Sequence, residues 1–163
     1  MKFFINAIIF LQWLNNVYGW WGCFKVTGML KCGPKLYQPA RAQLYDDDTL
    51  TKDDNMIVEF GYGSNGFGPN RFITHNSALI LEGCAEDFGT VPDPHLRISN
   101  YQCYGKTVEF KVKVNEKKCR YSRGPLQKNN GGFVKTVHQF ECYGVEIDLE
   151  TEKVEQQVKR LSH

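Results

Sequence analysis

The chain carries almost no net charge: 20 basic residues against 18 acidic ones leave +2 over 163 residues. So small a charge gives no overall attraction to nucleic acid or to an acidic membrane, and partners must be sought through local patches. Cys-x-x-Cys pairs are absent, which removes zinc-ribbon and thioredoxin-type chemistry. No Asn-x-Ser/Thr acceptor occurs, so N-linked glycosylation is not expected. The chain also lacks a G-x-S-x-G elbow, a paired-carboxylate motif and a phosphate-cradling loop. His75, His95 and His138 are scattered without a partner motif. Past the amino terminus no run is apolar enough to form a membrane helix, so no membrane span is expected.

What is present begins with an address. Lys2 precedes a mostly apolar run from Phe3 to Leu14, and Val17-Tyr18-Gly19 places small residues near a cleavage position. Asn6 and Gln12 interrupt a run already short for a bilayer, so residues 1–19 read as a signal peptide and the mature protein as secreted and extracellular. The remainder is long enough for one domain with one core. All six cysteines (Cys23, Cys32, Cys84, Cys103, Cys119 and Cys142) fall within it. An even count in an oxidising compartment predicts disulfides, although spacing alone does not rank the pairings.

Alternation dominates the remainder. Phe24, Val26, Gly28 and Leu30 interleave with Lys25, Thr27, Met29 and Lys31, the period of a strand with one buried face. Ala40, Ala42 and Leu44 interleave similarly with Arg41, Gln43 and Tyr45. Further strands are expected at 57–60, closed by the Ser64-Asn65-Gly66 turn, at 78–81, and at 95–99 after the Pro92-Asp93-Pro94 break. The clearest is 106–114, with Val108, Phe110, Val112 and Val114 on one face and Glu109, Lys111 and Lys113 on the other. A polar connection through Gly124-Pro125 and Gly131-Gly132 follows, and strands at 133–140 and 145–149 complete the set. About seven or eight short strands without interleaved helices predict an all-β sandwich. Beyond it, Val154, Val158 and Leu161 recur at helical spacing, so 151–163 is expected to be a short C-terminal helix or a charged tail.

Several segments, in order, carry a resemblance. They are Val26-Thr27-Gly28 leading to Cys32, Leu44-Tyr45-Asp46 with Asp48-Thr49, Gly63-Ser64-Asn65-Gly66, and Glu86-Asp87-Phe88. Pro94-His95-Leu96-Arg97-Ile98, Cys103, Val108-Glu109-Phe110-Lys111-Val112 and Gly144-Val145-Glu146-Ile147-Asp148-Leu149 follow. Together they resemble the nematode transthyretin-like family of small secreted sandwich proteins, over most of residues 24–150. The resemblance implies a transthyretin-like (prealbumin-like) sandwich spanning 20–150, linked by disulfides. Residues 67–78, the connection 116–132 and the tail after Leu149 depart from the pattern. The implied topology puts Cys32, Cys103 and Cys142 near one end and Cys23, Cys84 and Cys119 near the other. Three at each end cannot pair completely within ends, so either a boundary is misplaced or two thiols are free or intermolecular. The expected pairs are Cys32 with Cys103 or Cys142, and Cys23 with Cys84 or Cys119.

The same resemblance implies a non-catalytic extracellular binding protein that presents end loops to a ligand or a cell-surface receptor. Tyr62, Phe67, Tyr104 and Tyr121 are the candidate loop aromatics, and Trp20 and Trp21 are expected to fold back on the sandwich. A second reading rests on Asp46, Asp47, Asp48, Asp53 and Asp54, which crowd one interstrand loop. Hard cations take several carboxylate oxygens, so this loop is a candidate Ca²⁺ site bridging to anionic lipid such as phosphatidylserine, although its spacing is not that of an EF-hand. A third reading is enzymatic, because the implied fold also hosts hydroxyisourate hydrolases ending in Tyr-Arg-Gly-Ser. This chain ends Arg160-Leu161-Ser162-His163, and its internal Tyr121-Ser122-Arg123-Gly124 is a scrambled counterpart, so no catalysis is expected. Finally, relatives associate through edge strands, and Lys106, Lys111 and Lys113 would guard 106–114 if it lies at an edge. The ligand and the oligomeric state stay open.

Overall fold

The computed structural model describes residues 20–33, 35–36, 40–47, 54–73, 77–87, 90–104, 106–128, 132 and 134–156. Residues 1–19, read as the signal, lie outside them. Eleven strands follow in order: β1 (Trp20–Cys32), β2 (Lys35–Leu36), β3 (Ala40–Asp46), β4 (Asp54–Asn55), β5 (Asn70–Ile73), β6 (Ala78–Asp87), β7 (Pro94–Cys103), β8 (Lys106–Lys113), β9 (Arg120–Lys128), β10 (Val134–Asp148) and β11 (Lys153–Gln156). One turn of 3₁₀ helix, Glu116–Lys118, separates β8 from β9. The strands form two sheets. In the first, β1 lies between β6 and β10, β2 extends the β6 side, and β9 and β11 share the far edge of β10. In the second, β3 lies between β7 and the short β4 and β5, and β8 pairs with β7 alone. The expected all-β fold is present, with two sheets facing each other across one core. The described residues form eleven strands in place of the expected seven or eight, because short edge strands such as β2, β4 and β11 add to the set.

Alternation builds that core. Phe24, Val26, Leu30, Leu79, Leu81, Cys142, Val145 and Ile147 of the first sheet meet Ala40, Ala42, Leu44, Leu96, Ile98 and Val112 of the second. Phe24 and Phe140 stack within it, with ring centroids 4.7 Å apart. β10 runs through a place where a break was expected between 140 and 145. Its buried residues change parity there, from Phe140 and Cys142 to Val145 and Ile147. The register with β1 shifts between Val26 and Gly28, and Gly144 takes φ +59°, so a β-bulge absorbs the extra residue and keeps both halves facing inward. At this point the two backbones nearly touch: a Cβ on Gly28 would lie 1.8 Å from the Val145 carbonyl oxygen.

Three expectations change. Residues 57–60 are not a strand. Ile57 exchanges two hydrogen bonds with Cys84 at 2.8 and 2.9 Å, while Ile57 and Val58 are both exposed and Phe60 adopts φ +51°. The stretch from 56 to 69 is a strap along the free edge of β6, where Phe67 also accepts the Glu82 N–H at 2.7 Å. Such a cover removes an open edge. Residues 120–128, taken as connection, are a strand instead.

The carboxyl end is the third change. Lys153–Gln156 forms a strand against Val145–Asp148 rather than the start of a helix. The Leu149–Glu152 turn, with Glu152 at φ +54°, folds β11 back, and the Val154 side chain packs against the core. A long β10 offers unpaired backbone groups, and three spaced apolar residues are too few to outcompete them. The sheet therefore extends past residue 150. Val158 and Leu161 lie outside the described residues.

The cysteines pair as Cys23–Cys84, Cys32–Cys103 and Cys119–Cys142, with none free. Cys23 and Cys84 stand opposite each other on β1 and β6. Cys119 precedes the Arg120–Glu141 pair of β9 and β10, directly across from Cys142. Of the three bridges, Cys32–Cys103 alone joins the two sheets. Of the alternatives expected, Cys103 is the partner of Cys32 and Cys84 the partner of Cys23. The sorting by ends fails at Cys119 and Cys142, because β9 carries Cys119 along the edge of β10. Among the described residues no helix is long and apolar enough to cross a membrane.

Candidate functional site

The acidic segment is built into the frame. Asp46, at the end of β3, is 2% exposed, and its Oδ1 accepts the Asp93 N–H at 2.6 Å. The Asp47 N–H donates to the Asp93 carbonyl at 3.2 Å, and His95 Nδ1 lies 2.9 Å from the same carbonyl oxygen. His95 Nε2 reaches Asp47 Oδ2 at 3.4 Å, while Lys113 reaches Asp93 Oδ1 at 3.0 Å. The hydrogen bond to Asp93 raises the Lys113 pKa above that of an ordinary lysine. Asp54 stands exposed opposite Asp46, and Asp48 and Asp53 lie outside the described residues. Among the described residues no three His, Cys, Asp or Glu side chains are grouped to hold a cation. Asp46 and Asp47 tie the end of β3 to the loop before β7. Beside them, Lys113, Asn115, Glu116 and Lys117 line a shallow open groove of about 430 Å³.

The candidate aromatics scatter. Tyr62 packs beneath the strap against Trp21, Cys23, Cys84 and Val137. Burial, and then the carboxylates of Glu141 and Glu82, push its phenol up to about 12. Phe67 lies under the Arg71 guanidinium, 5.1 Å from ring centroid to carbon. Tyr104 is exposed at the turn between β7 and β8. Tyr121 is not on a loop: it lies on β9, opposite Phe140.

Tyr121 belongs to a group that the sequence did not assemble. The first sheet runs on beyond the second at the end marked by Pro92, which packs over Gly22. Past that point the face that elsewhere forms the core opens to solvent. Trp20, His138 and Tyr121 lie side by side across β1, β10 and β9. Trp20 and His138 have ring centroids 4.2 Å apart, and Tyr121 lies 5.9 Å from His138 at an interplanar angle of 16°. Tyr121 also contacts Phe140 at 5.3 Å, which joins this ledge to the core stack. The outer rings stay open to water, Trp20 at 42% and Tyr121 at 53%, while His138 is buried between them. Trp21, one residue on, turns to the opposite face and is buried there edge-on to Phe60. Of the two tryptophans expected to fold back, only Trp21 is buried.

The electrostatics of the ledge are simple. Burial, and secondly the nearby Arg123 charge, lower the His138 pKa below the ordinary histidine value. The Tyr121 hydroxyl oxygen lies 2.9 Å from His138 Nδ1, within hydrogen-bond distance. Arg123 is the cross-strand neighbour of His138 and is itself exposed. An open row of rings beside a cation is suited to binding by stacking and charge rather than to shielding a reacting atom from water. The pairing of Arg123 with His138 was not expected, because residues 120–128 looked like a connection and not a strand beside β10. The alternation of Tyr121 with Arg123 was the available signal. Set against family models, curated proteins and solved structures, the chain matches none.

Proposed function

We propose that the chain is a secreted, non-catalytic recognition protein of the transthyretin-like kind, exported behind residues 1–19, and that it binds its partner through the aromatic ledge of the first sheet. One observation carries this reading: Trp20 and Tyr121 remain 42% and 53% exposed on a sheet face whose continuation is fully buried core. Leaving large rings in water forgoes burial energy, and such a patch on a rigid scaffold is the usual mark of a contact surface. Three disulfides support an oxidising location. The ledge, built on strands, holds its side chains more rigidly than end loops would.

The test is capture from extracellular material by the immobilised chain and two variants. Tyr121→Ser combined with Arg123→Gln is expected to abolish capture, and Tyr104→Ser at the opposite end is expected to leave it intact. The reverse pattern would return the binding surface to the end loops.

A further inference from the structure

Building on that ledge reading, we propose that the ledge and the hairpin extending it dock onto an anionic lipid bilayer without calcium. The hairpin is the antiparallel pair of β9 and β10. Two aliphatic side chains project from it, Leu126 at 69% exposure and Val134 at 62%. The register pairs Leu126 with Thr136 and Val134 with Lys128, which places them on the same face as His138 and Tyr121, farther from the body. Outermost aliphatics backed by a tryptophan and a tyrosine match the layering of a membrane interface, where ring residues occupy the headgroup level.

Charge selects the headgroup. Within β9 and the stretch of β10 paired to it stand Arg120, Arg123, Lys128 and Lys135, against the single acid Glu141. Glu141 pairs with Arg120 at 3.8 Å, and Lys135 is bound to Glu86 on β6. Among the described residues no carboxylate is paired with Arg123 or Lys128, and both are exposed. This hairpin is basic although the chain as a whole is nearly neutral, and an anionic surface is its electrostatic complement.

A polypeptide partner fits less well. The outer edge of β9 is broken by Pro125, which has no N–H, and by a register shift opposite Thr136 and His138. An added strand would find no continuous row of backbone groups there. Calcium is not required, since the cations are supplied by side chains.

The experiment is co-sedimentation of the full, oxidised chain with vesicles of phosphatidylcholine alone or mixed with phosphatidylserine or phosphatidylglycerol, in EDTA. Binding is expected only with either anionic lipid, to fall with salt, and to be unchanged by added Ca²⁺. Arg123→Gln and Lys128→Gln are each expected to weaken it about fivefold. Leu126→Ser is expected to weaken it about tenfold. Circular dichroism and melting curves identical to wild type would show that these exposed-site variants fold. The emission of Trp20 is expected to shift to the blue on vesicles, and Trp20→Phe to remove that shift.

Equal binding to neutral vesicles, a requirement for Ca²⁺, or indifference to Arg123→Gln and Lys128→Gln would overturn the proposal. So would comparable affinity for soluble polyglutamate, which would assign the ledge to acidic polypeptide. If vesicles fail while ledge-dependent capture from extracellular material persists, the lipid assignment falls and the recognition reading stands. If both fail, both fall.

Discussion

Gly28 to Ala adds one methyl group at the closest approach of two strands. The new carbon would lie 1.8 Å from the Val145 carbonyl oxygen, and backbone there must retreat beyond 3.0 Å to admit it. The obstacle is main chain on both sides, so no side-chain rotation relieves it. Moving β1 from β10 by more than an ångström strains about two ladder hydrogen bonds, at about 1 kcal/mol each. It also loosens Val26 and Leu30 against Val145 and Ile147, for about 1–2 kcal/mol more. The stiffer unfolded chain returns about 0.4–1 kcal/mol. The net expectation is a loss of about 2–3.6 kcal/mol, read as a urea midpoint lowered by about 1–2 M with unchanged slope. Gly68 provides the control, because the nearest heavy atom to an added Cβ there is Val58 Cγ2 at 4.0 Å. Gly68→Ala is expected to be neutral or slightly stabilising. If Gly28→Ala unfolds within about 0.5 kcal/mol of wild type, a shift of no structural weight for a single substitution, the bulge and its register are wrong.

Removing the inter-sheet bridge with Cys32→Ala and Cys103→Ala opens a loop of 71 residues, worth about 4.4 kcal/mol in the chain-entropy picture, while Cys119→Ala with Cys142→Ala opens 23, worth about 3.4. Chemical denaturation should rank them in that order, and the reverse ranking would contradict it. His138 should make the fold sensitive to mild acid. Its folded pKa lies below 6.5, so as pH falls through 6.5 the unfolded chain takes up a proton that the folded chain does not, and stability declines until the lower folded value is passed. Melting curves between neutral and mildly acidic pH should show that decline, and His138→Gln should flatten it. Asp46→Ala leaves the buried Asp93 contact unmade and should cost about 1–3 kcal/mol, whereas exposed Asp54→Ala should stay within about 0.5 kcal/mol. Thermal unfolding in EDTA and in Ca²⁺ should give the same order; a calcium-dependent reversal would favour the metal reading.

Much of the fold was legible because its physics is local. Phe24, Val26 and Leu30, or Leu96 and Ile98, alternate cleanly, and each alternation became a buried face. Val108 to Val114 announced β8, and its place at an edge puts exposed Lys111 and Lys113 where charges discourage pairing. The failures share a cause. β9 was hidden because Gly124 and Pro125 interrupt its alternation, and only a bulge against β10 lets the strand continue past them. Ile57-Val58-Glu59-Phe60 looked like a strand by composition, yet the edge of β6 needed a cover and only Ile57 and Glu59 form bridges. Val154 looked helical until β10 supplied an unfilled edge. The ledge depends on where one sheet outruns the other, a property of register between distant segments that no window of sequence contains.

The β1–β10 ladder, alone parallel among the described strand pairs, has a consequence for how the molecule is made. Lys31 meets Glu146 across 115 residues, so β1 must wait for a strand made much later before that flank is occupied. β6 arrives much earlier, and its Cys84 stands opposite Cys23, so β1 and β6 can pair and be bridged before β10 is available. The nascent chain is then a covalently clasped two-strand ribbon with one raw side, and its survival depends on how long that side goes unprotected.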